Sequence, residues 1–323
     1  MKKILITGGL GFIGSNLAIK LINLGHKISI IDNCSTGSLK NIPKEILRKI
    51  ALKKTTILNE SVIKNEIKKC DIVFHLAAAV GVKNILSNKL KSIETNISGT
   101  EKVLKYCNQF KKKIFYASTS EVYGKSKKQA LKETDGFTFG NVQTFRWSYG
   151  VSKLLDEYLS QAYILEKKLN VMIIRFFNIV GPKQSGNYGM VFPQFIKAAI
   201  SNKDINIYGD GSQTRSFLHV EDATDTLIKL MNKNHYRDVV NIGGTQNISI
   251  MSLAKKIILA TKSKSKIIKW NYKYAYSTTK KFNKNYEDIM HRHPSTKKIK
   301  KLINFNPKFT LKKIITDIIK KDK

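Results

Sequence analysis

The sequence predicts an α/β protein with a doubly wound parallel sheet and a smaller C-terminal lobe. The chain opens with a short apolar strand, a glycine-rich turn and a helix. Apolar strands then alternate with helical segments as far as about residue 176, and polar residues follow the strands at the edge where such sheets bind ligands. The 323 residues are enough for one large domain or two unequal ones.

The first strand is predicted at Lys3–Thr7, and a helix is predicted at 15–24, ended by Gly25. The turn between them contains Gly8, Gly9, Gly11 and Gly14. Glycines let the backbone approach a pyrophosphate, and the N-terminus of the helix supplies N–H donors. The opening segment therefore predicts a dinucleotide site.

A second strand, predicted at 26–31, is followed by Asp32, about 20 residues beyond the turn. A carboxylate at this place binds the adenosine ribose hydroxyls and repels a 2′-phosphate, which favours NAD over NADP. A further strand at 72–76 leads into Ala77 and two more alanines, whose small side chains let the backbone pass close to a cofactor. We interpret His75 in that strand as structural.

Three hydroxyls and a carboxylate follow the strand predicted at 113–117: Ser118, Thr119, Ser120 and Glu121. They lie at the carboxyl end of the strand, where doubly wound sheets bind ligands. A solvated loop charge is the alternative interpretation of Glu121.

Tyr149 and Lys153 are four residues apart and share one face of a predicted helix. A nearby ammonium favours the tyrosinate over the phenol, which would make Tyr149 a base for a sugar hydroxyl. A lone pair at this spacing is usually an ordinary exposed helix pair. The hydroxyl cluster about 30 residues upstream and the glycine turn favour the catalytic interpretation.

Composition predicts a folded, cytoplasmic protein. Apolar residues make up 42% and charged residues 25%, and glycines interrupt the apolar N-terminal run that resembles a signal peptide. The sequence predicts no membrane span and no metal site, and its three cysteines suit a reducing compartment. The net charge of +35 is attributed to lysine-rich solvated faces rather than to nucleic-acid binding, because no aromatic residues are interleaved for base stacking.

The GGLGFIG turn, Ser118-Thr119, and the Tyr149 and Lys153 pair together resemble the extended short-chain dehydrogenase/reductase superfamily, in its nucleotide-sugar epimerase and dehydratase branch. The resemblance runs from Met1 to about Thr310. It implies a Rossmann NAD-binding domain at 1–178 with a returning segment near 217–243, a substrate lobe at 179–323, and a homodimer. Within that lobe, the segments at 187–196 and 205–223 resemble the nucleotide-binding segments of the family.

The resemblance also implies the site residues. The implied catalytic residues are Thr119, Tyr149, Lys153, Ser118, Ser120 and Glu121. The implied NAD contacts are Gly8, Gly11, Phe12, Ile13, Gly14, Asp32, Asn33, Ala77, Asn96 and Lys153. The implied contacts of a nucleotide sugar, predicted to be UDP-linked, are Asn178, Phe192, Tyr208, Arg215 and Arg292. Of these, Asn178 and Arg215 would hold the diphosphate, whereas Tyr208 and Phe192 are equally plausible as core residues.

Two positions leave alternatives open. The family places an aspartate against the adenine after the third strand, and this chain offers only Asn59 or Glu60 there. Arg292, two residues before a proline, matches an arginine of sugar-nucleotide decarboxylases and some epimerases, and its alternative is a surface arginine in a basic tail.

The reaction type follows from the residues beside Thr119. Ser120 stands where dehydratases have an aspartate, so a 4,6-dehydratase is disfavoured. The STSEVYG segment, the RW pair before Tyr149 and the surroundings of Arg292 most resemble UDP-glucuronate decarboxylases. A UDP-glucose or UDP-uronate 4-epimerase is the alternative, and a non-catalytic NAD- or RNA-binding relative is disfavoured by the intact Thr119, Tyr149 and Lys153 set.

Overall fold

The computed structural model describes residues 1–186, 189–272 and 287–322. Asn187, which opens one of the two segments predicted to bind the nucleotide, lies outside these residues. The strands are β1 (Lys3–Thr7), β2 (Lys27–Ile31), β3 (Ile50–Lys53), β4 (Ile72–His75), β5 (Lys113–Thr119), β6 (Val171–Phe176), β7 (Asn178–Val180), β8 (Ile205–Tyr208), β9 (Thr214–His219), β10 (Asp238–Ile242), β11 (Asn247–Ser249), β12 (Ile267–Trp270) and β13 (His291–Arg292). The helices are α1 (Phe12–Asn23), α2 (Lys44–Leu47), α3 (Glu60–Lys69), α4 (Val82–Ser87), α5 (Lys89–Gln109), α6 (Ser148–Lys167), α7 (Val191–Ile200), α8 (Val220–Lys233), α9 (Ile250–Thr261), α10 (Lys297–Ile303) and α11 (Leu311–Asp322).

Seven parallel strands form the large sheet, in the order β10-β6-β5-β4-β1-β2-β3. The chain runs outward from β1 to β3 and then returns to place β4 on the other side of β1. This reversal is the switch point at which doubly wound sheets bind ligands. The doubly wound α/β fold predicted from the sequence is confirmed.

The sheet is covered by apolar layers on both faces. One core layer packs Leu17 and Leu21 of α1 with Leu227 of α8 against the sheet, and the other packs Ile63 of α3 and Val103 of α5 against the opposite face. Strands buried on both sides contain continuous apolar runs, as 4–6 of β1 and 171–174 of β6 are.

The smaller lobe contains two small sheets. β11, β9 and β13 form one, with β7 also paired to β9, and β12 pairs with β8 in the other. Its core packs α7, α9 and α11 together around Phe192, Leu253 and Ile315. Parallel pairing of β13 with β9 brings Arg292 beside Arg215. Among the described residues, no helix combines the length and apolar content needed to cross a membrane.

Candidate active site

A cavity of about 820 Å³ opens at the carboxyl ends of the central strands. Most of the site residues predicted from the sequence line it: Gly8, Gly11, Phe12, Ile13, Gly14, Asp32, Asn33, Ala77, Ser118, Thr119, Ser120, Glu121, Tyr149, Asn178, Phe192 and Arg292. Lys153, Asn96, Tyr208 and Arg215 are not among its lining residues. The glycine turn and Asp32 belong to the switch-point strands, whereas Glu121 and Arg292 lie where β5 and the smaller lobe meet.

The glycine turn fits a dinucleotide pyrophosphate. Gly8 has a φ of +70°, and a side chain on it would approach the Ala77 backbone to 2.8 Å. A side chain on Gly14 would come within 2.3 Å of the Gly8 carbonyl oxygen. Helix α1 begins at Phe12 without a capping side chain, so its first N–H groups face the cavity unmasked. A helix N-terminus of this kind stabilises a phosphate by N–H donation and by the helix dipole.

Asp32 is fixed at the end of β2 by two backbone donors. Its Oδ2 accepts from Leu10 N at 2.9 Å and its Oδ1 from Cys34 N at 2.8 Å. Each carboxylate oxygen has a second lone pair, which leaves Asp32 able to accept from ribose hydroxyls. Asn33 lies beside it and also accepts from a backbone N–H.

The two residues offered for the adenine contact have other partners. Asn59 caps helix α3 by accepting from Val62 N at 3.3 Å. Glu60 binds Lys105 at 2.9 Å and accepts from the Tyr106 hydroxyl. The cavity wall after β3 is formed instead by 55–57, whose polar members are threonines.

Thr119 and Tyr149 meet where the cavity reaches the carboxyl end of β5. Strand β5 extends two residues beyond its predicted end, to Thr119, and the Thr119 hydroxyl accepts from Glu121 N at 3.2 Å. Burial and the Glu121 carboxylate hold the pKa of Tyr149 above its usual value, although a hydrogen bond with Thr119 opposes this shift. The protein alone therefore favours the phenol. A tyrosinate would need the positive charge of Lys153 together with that of a bound cation.

Ser118 and Ser120 flank Thr119 on the cavity wall, and both are buried. The Ser118 hydroxyl donates to Glu157, which also forms a bidentate ion pair with Arg175 at 2.7 to 3.2 Å. Ser118 is thus held by a structural ion pair in the core of the sheet.

Lys153 and Asn96 lie behind the lining residues. Lys153 is 1% exposed, and its Nζ lies 3.9 Å from Asp156 Oδ2. Burial lowers the pKa of Lys153 to about 8, while the carboxylates of Asp156 and Glu157 raise it. Asn96 accepts from Ala79 N at 2.8 Å and donates to the Ser152 hydroxyl at 3.3 Å, which connects the cavity wall at Ala79 to helix α6.

Glu121 and Arg292 form an ion pair across the cavity, with Arg292 Nη1 3.0 Å from Glu121 Oε1. The Nη2 atom of the same guanidinium donates to Asn178 Oδ1. Arg146 adds a second guanidinium to the cavity wall, 3.9 Å from Glu121 Oε2 and 3.9 Å from Asp288 Oδ1. The Arg292 side chain is only 17% exposed and Glu121 14%, so neither is a solvated surface charge.

Arg215 supports this cluster from β9. It binds Asp288 at 2.9 Å and donates to the carbonyl oxygen of Ile289 at 2.7 Å, just before Arg292 in the chain. Tyr208 ends β8 in the smaller lobe. Phe192 lines the cavity and packs edge-on against Phe217.

Several residues of the site were not predicted from the sequence. No role in the site was predicted for Arg146, the first residue of the RW pair. Its position three residues before Tyr149 places it about one helical turn away. The contact of Asp156 with Lys153 was not predicted either, although an i,i+3 spacing on a helix is a recognisable signal for such a pair. Asp288, which links Arg146 and Arg215, gave no local signal.

Known proteins resemble this chain along its length. Residues 4–243 match the model of the NAD dependent epimerase/dehydratase family. A UDP-N-acetyl-α-D-glucosaminuronate decarboxylase of Bacillus cytotoxicus is 39% identical over 307 residues, covering 95% of this chain and 93% of that protein.

Solved structures share the fold. A UDP-glucose 4-epimerase of Thermotoga maritima with UDP-glucose has a TM-score of 0.88 at 24% identity and covers 99% of this chain and 98% of that one. A UDP-glucuronic acid 4-epimerase of Bacillus cereus, in complex with UDP-4-deoxy-4-fluoro-glucuronic acid and NAD, has a TM-score of 0.84 at 25% identity and covers 98% of each chain. The cofactor predicted from Asp32 and the glycine turn is the one on which the matched family depends. This chain belongs to the NAD-dependent epimerase/dehydratase family.

Proposed function

We propose that the protein decarboxylates a UDP-linked uronic acid through transient oxidation at C4 of the sugar. The observation that carries the proposal is the contact between Glu121 and Arg292, with Arg146 beside them, at the sugar end of the cavity. Among the described residues, Arg146, Arg215 and Arg292 form ion pairs with the carboxylates of Glu121 and Asp288. Guanidinium groups at this end of the cavity suit an anionic sugar better than a neutral hexose.

Tyr149 and Thr119 act on the C4 hydroxyl. Thr119 holds this hydroxyl by a hydrogen bond, and Tyr149 takes its proton as the general base. The chemistry that bound NAD would supply is hydride acceptance from C4 and, as NADH, hydride donation back to it. Lys153, one helical turn from Tyr149, stabilises the tyrosinate by its positive charge.

Arg292 and Glu121 act on the carboxylate. A 4-keto uronate is a β-keto acid, so breaking the C5–C6 bond releases carbon dioxide and leaves its electron pair delocalised onto the C4 oxygen. A proton taken up at C5 from solvent then restores the C4 ketone, which can be reduced again. Arg292 grips the carboxylate by charge-assisted hydrogen bonds. Glu121, paired with Arg292 at 3.0 Å, adds a like-charge contact that disfavours the bound carboxylate and eases its loss.

A UDP-uronate 4-epimerase is the second candidate. The similarity to a UDP-glucuronic acid 4-epimerase favours it, because such an enzyme also binds a uronate and NAD. The two reactions differ only after C4 is oxidised: an epimerase rotates the keto sugar and returns the hydride to its other face.

We also propose a domain division at about residue 178, a homodimer and a cytoplasmic location. Four apolar side chains along one face of helix α6, Val151, Leu155, Tyr158 and Leu165, are 45 to 67% exposed and support a second copy packing there. Light scattering after size-exclusion chromatography tests the dimer.

The cytoplasmic location is supported by the cysteines. The thiols of Cys34, Cys70 and Cys107 are free, which fits a reducing compartment.

Incubation with UDP-glucuronate, UDP-N-acetylglucosaminuronate and UDP-glucose, with products identified by mass and NMR, tests the reaction. We expect a UDP-pentose or its 2-acetamido counterpart from the uronates and no change in UDP-glucose. Matched reactions with Glu121→Gln should lose decarboxylation more than UDP-sugar binding. UDP-galacturonate with no loss of mass would support the epimerase instead.

A further inference from the structure

A chain of buried polar side chains crosses the large sheet beneath the cavity. The Thr7 hydroxyl lies 2.7 Å from His75 Nδ1, and His75 Nε2 lies 3.2 Å from the Thr100 hydroxyl. Thr100 Oγ1 donates to Asp156 Oδ2 at 3.1 Å, and the Tyr116 hydroxyl donates to the same oxygen at 2.8 Å. The chain therefore links β1, β4, α5 and β5 to Asp156 on helix α6.

The number of protons that each group can donate fixes the direction of these hydrogen bonds. Thr100 gives its proton to Asp156, so it accepts from His75 Nε2–H. A neutral imidazole has one N–H, so His75 Nδ1 accepts from the Thr7 hydroxyl, which in turn accepts from Ala77 N at 3.3 Å. Each hydrogen bond from Thr7 to Asp156 is therefore donated in the direction of Asp156, which suits an ionised carboxylate at the end of the chain. Burial and the charge of Lys153 lower the pKa of His75 to about 3, which keeps the imidazole neutral.

Lys153 meets the end of this chain. Its Nζ lies 3.9 Å from Asp156 Oδ2 and 4.2 Å from the centre of the Tyr116 ring. Asp156 is fully buried, and Glu157, the next carboxylate, is engaged by Arg175 at 2.7 Å. A buried ammonium is strongly disfavoured unless a carboxylate offsets it.

We propose that Asp156 is a positioning residue for the catalytic pair: its carboxylate, fixed by Tyr116 and Thr100, keeps Lys153 protonated and in place one turn from Tyr149. The inference depends on the proposed function for the role of Lys153, but the charge of Lys153 can be measured without a substrate. The titratable and charged groups around the pair are Tyr149 and Glu157 on α6, Tyr116 on β5, His75 on β4 and Arg175 on β6.

The test is the titration of Lys153 in Asp156→Asn. Asparagine has nearly the same shape, and its side-chain oxygen can still accept from Tyr116 and Thr100, so the change removes the charge and keeps these two hydrogen bonds. In protein labelled with ¹³C at lysine Cε, the Lys153 signal is assigned by its loss in Lys153→Arg and followed with pH. We expect the pKa of Lys153 to fall by at least about one unit, the usual effect of losing an opposite charge at this distance.

Glu66→Gln is the matched control, because Glu66 is also a buried carboxylate with an i,i+3 lysine partner, Lys69, but lies on helix α3 instead of α6. It should leave the Lys153 titration unchanged. An unchanged pKa of Lys153 in Asp156→Asn would overturn the proposal.

The pH dependence of turnover separates positioning from a purely structural role. Since deprotonated Lys153 cannot stabilise the tyrosinate, activity falls as pH rises through its pKa. In Asp156→Asn this alkaline limit should move to lower pH by at least about one unit. A uniform loss of turnover at every pH would contradict the inference. If no UDP-sugar is turned over at all, the proposed function fails, and the ¹³C titration still decides the role of Asp156.

Discussion

Replacing Arg292 by lysine tests how the carboxylate is held. The guanidinium of Arg292 spans two acceptors, with Nη1 3.0 Å from Glu121 Oε1 and Nη2 bonded to Asn178 Oδ1. A lysine ammonium is a single point charge and cannot reproduce this fork. Arg292→Lys keeps the positive charge but loses about one charge-assisted hydrogen bond, either to the substrate or to Glu121 or Asn178. Such a bond contributes about 1.5 to 3 kcal/mol.

This loss corresponds to a decrease of about 10- to 150-fold in kcat/KM for a UDP-uronate. The assay follows carbon dioxide release at substrate concentrations below KM. The amount of bound NAD should stay at the wild-type value. Arg292 belongs to the smaller lobe, whereas the glycine turn and Asp32 follow strands β1 and β2 of the large sheet. A variant within twofold of the wild type would refute the assignment of Arg292 to the carboxylate.

Three further changes probe the cofactor site, the base and the buried histidine. Asp32→Ala should narrow the preference for NAD over NADP, measured by calorimetry, because the carboxylate that repels a 2′-phosphate is gone. Tyr149→Phe should lower turnover about 10²- to 10⁴-fold while substrate and cofactor binding persist, since one hydroxyl is removed and the ring is kept. The pKa of His75 is lowered to about 3 by burial, so unfolding takes up a proton below pH 6.5 and the free energy of unfolding falls as pH decreases. His75→Asn should remove about 2 kcal/mol of the loss between pH 7 and pH 5, measured by urea unfolding.

Each of these three predictions has an outcome that would contradict it. Wild-type affinity for NADP equal to that for NAD would show that Asp32 does not select the cofactor. Most of the activity retained in Tyr149→Phe would exclude Tyr149 as the base. An identical pH dependence of unfolding in wild type and His75→Asn would show that His75 is protonated in the folded protein.

Parts of the site governed by local sequence were predictable. A run of glycines between a strand and a helix is typical of a turn that binds a pyrophosphate. The carboxyl ends of parallel strands share one edge of the sheet, so Asp32 and Thr119 were assigned to the same ligand site from their positions alone. Helix α1 begins three residues earlier than predicted, because Gly11 at its N-cap offers no side-chain signal.

Contacts across long chain separations were not predictable in detail. The pairing of β13 with β9 brings Arg292 and Asp288 to Arg215, and no local pattern near residue 288 encodes it. Asp156 lies in a helix whose periodicity predicts burial, but its partner Thr100 is contributed by another helix, α5. Such polar networks depend on how layers pack, which one sequence does not specify.

The most direct test of decarboxylation uses UDP-glucuronate labelled with ¹³C at the carboxyl carbon, incubated with the purified protein and its bound NAD. We predict that ¹³C appears as carbon dioxide and that the remaining UDP-sugar has lost the label and one carbon. The release should fall sharply in Glu121→Gln, which retains the shape of the side chain. Label kept in full within a UDP-uronate whose C4 configuration has changed would contradict the proposed function and identify an epimerase.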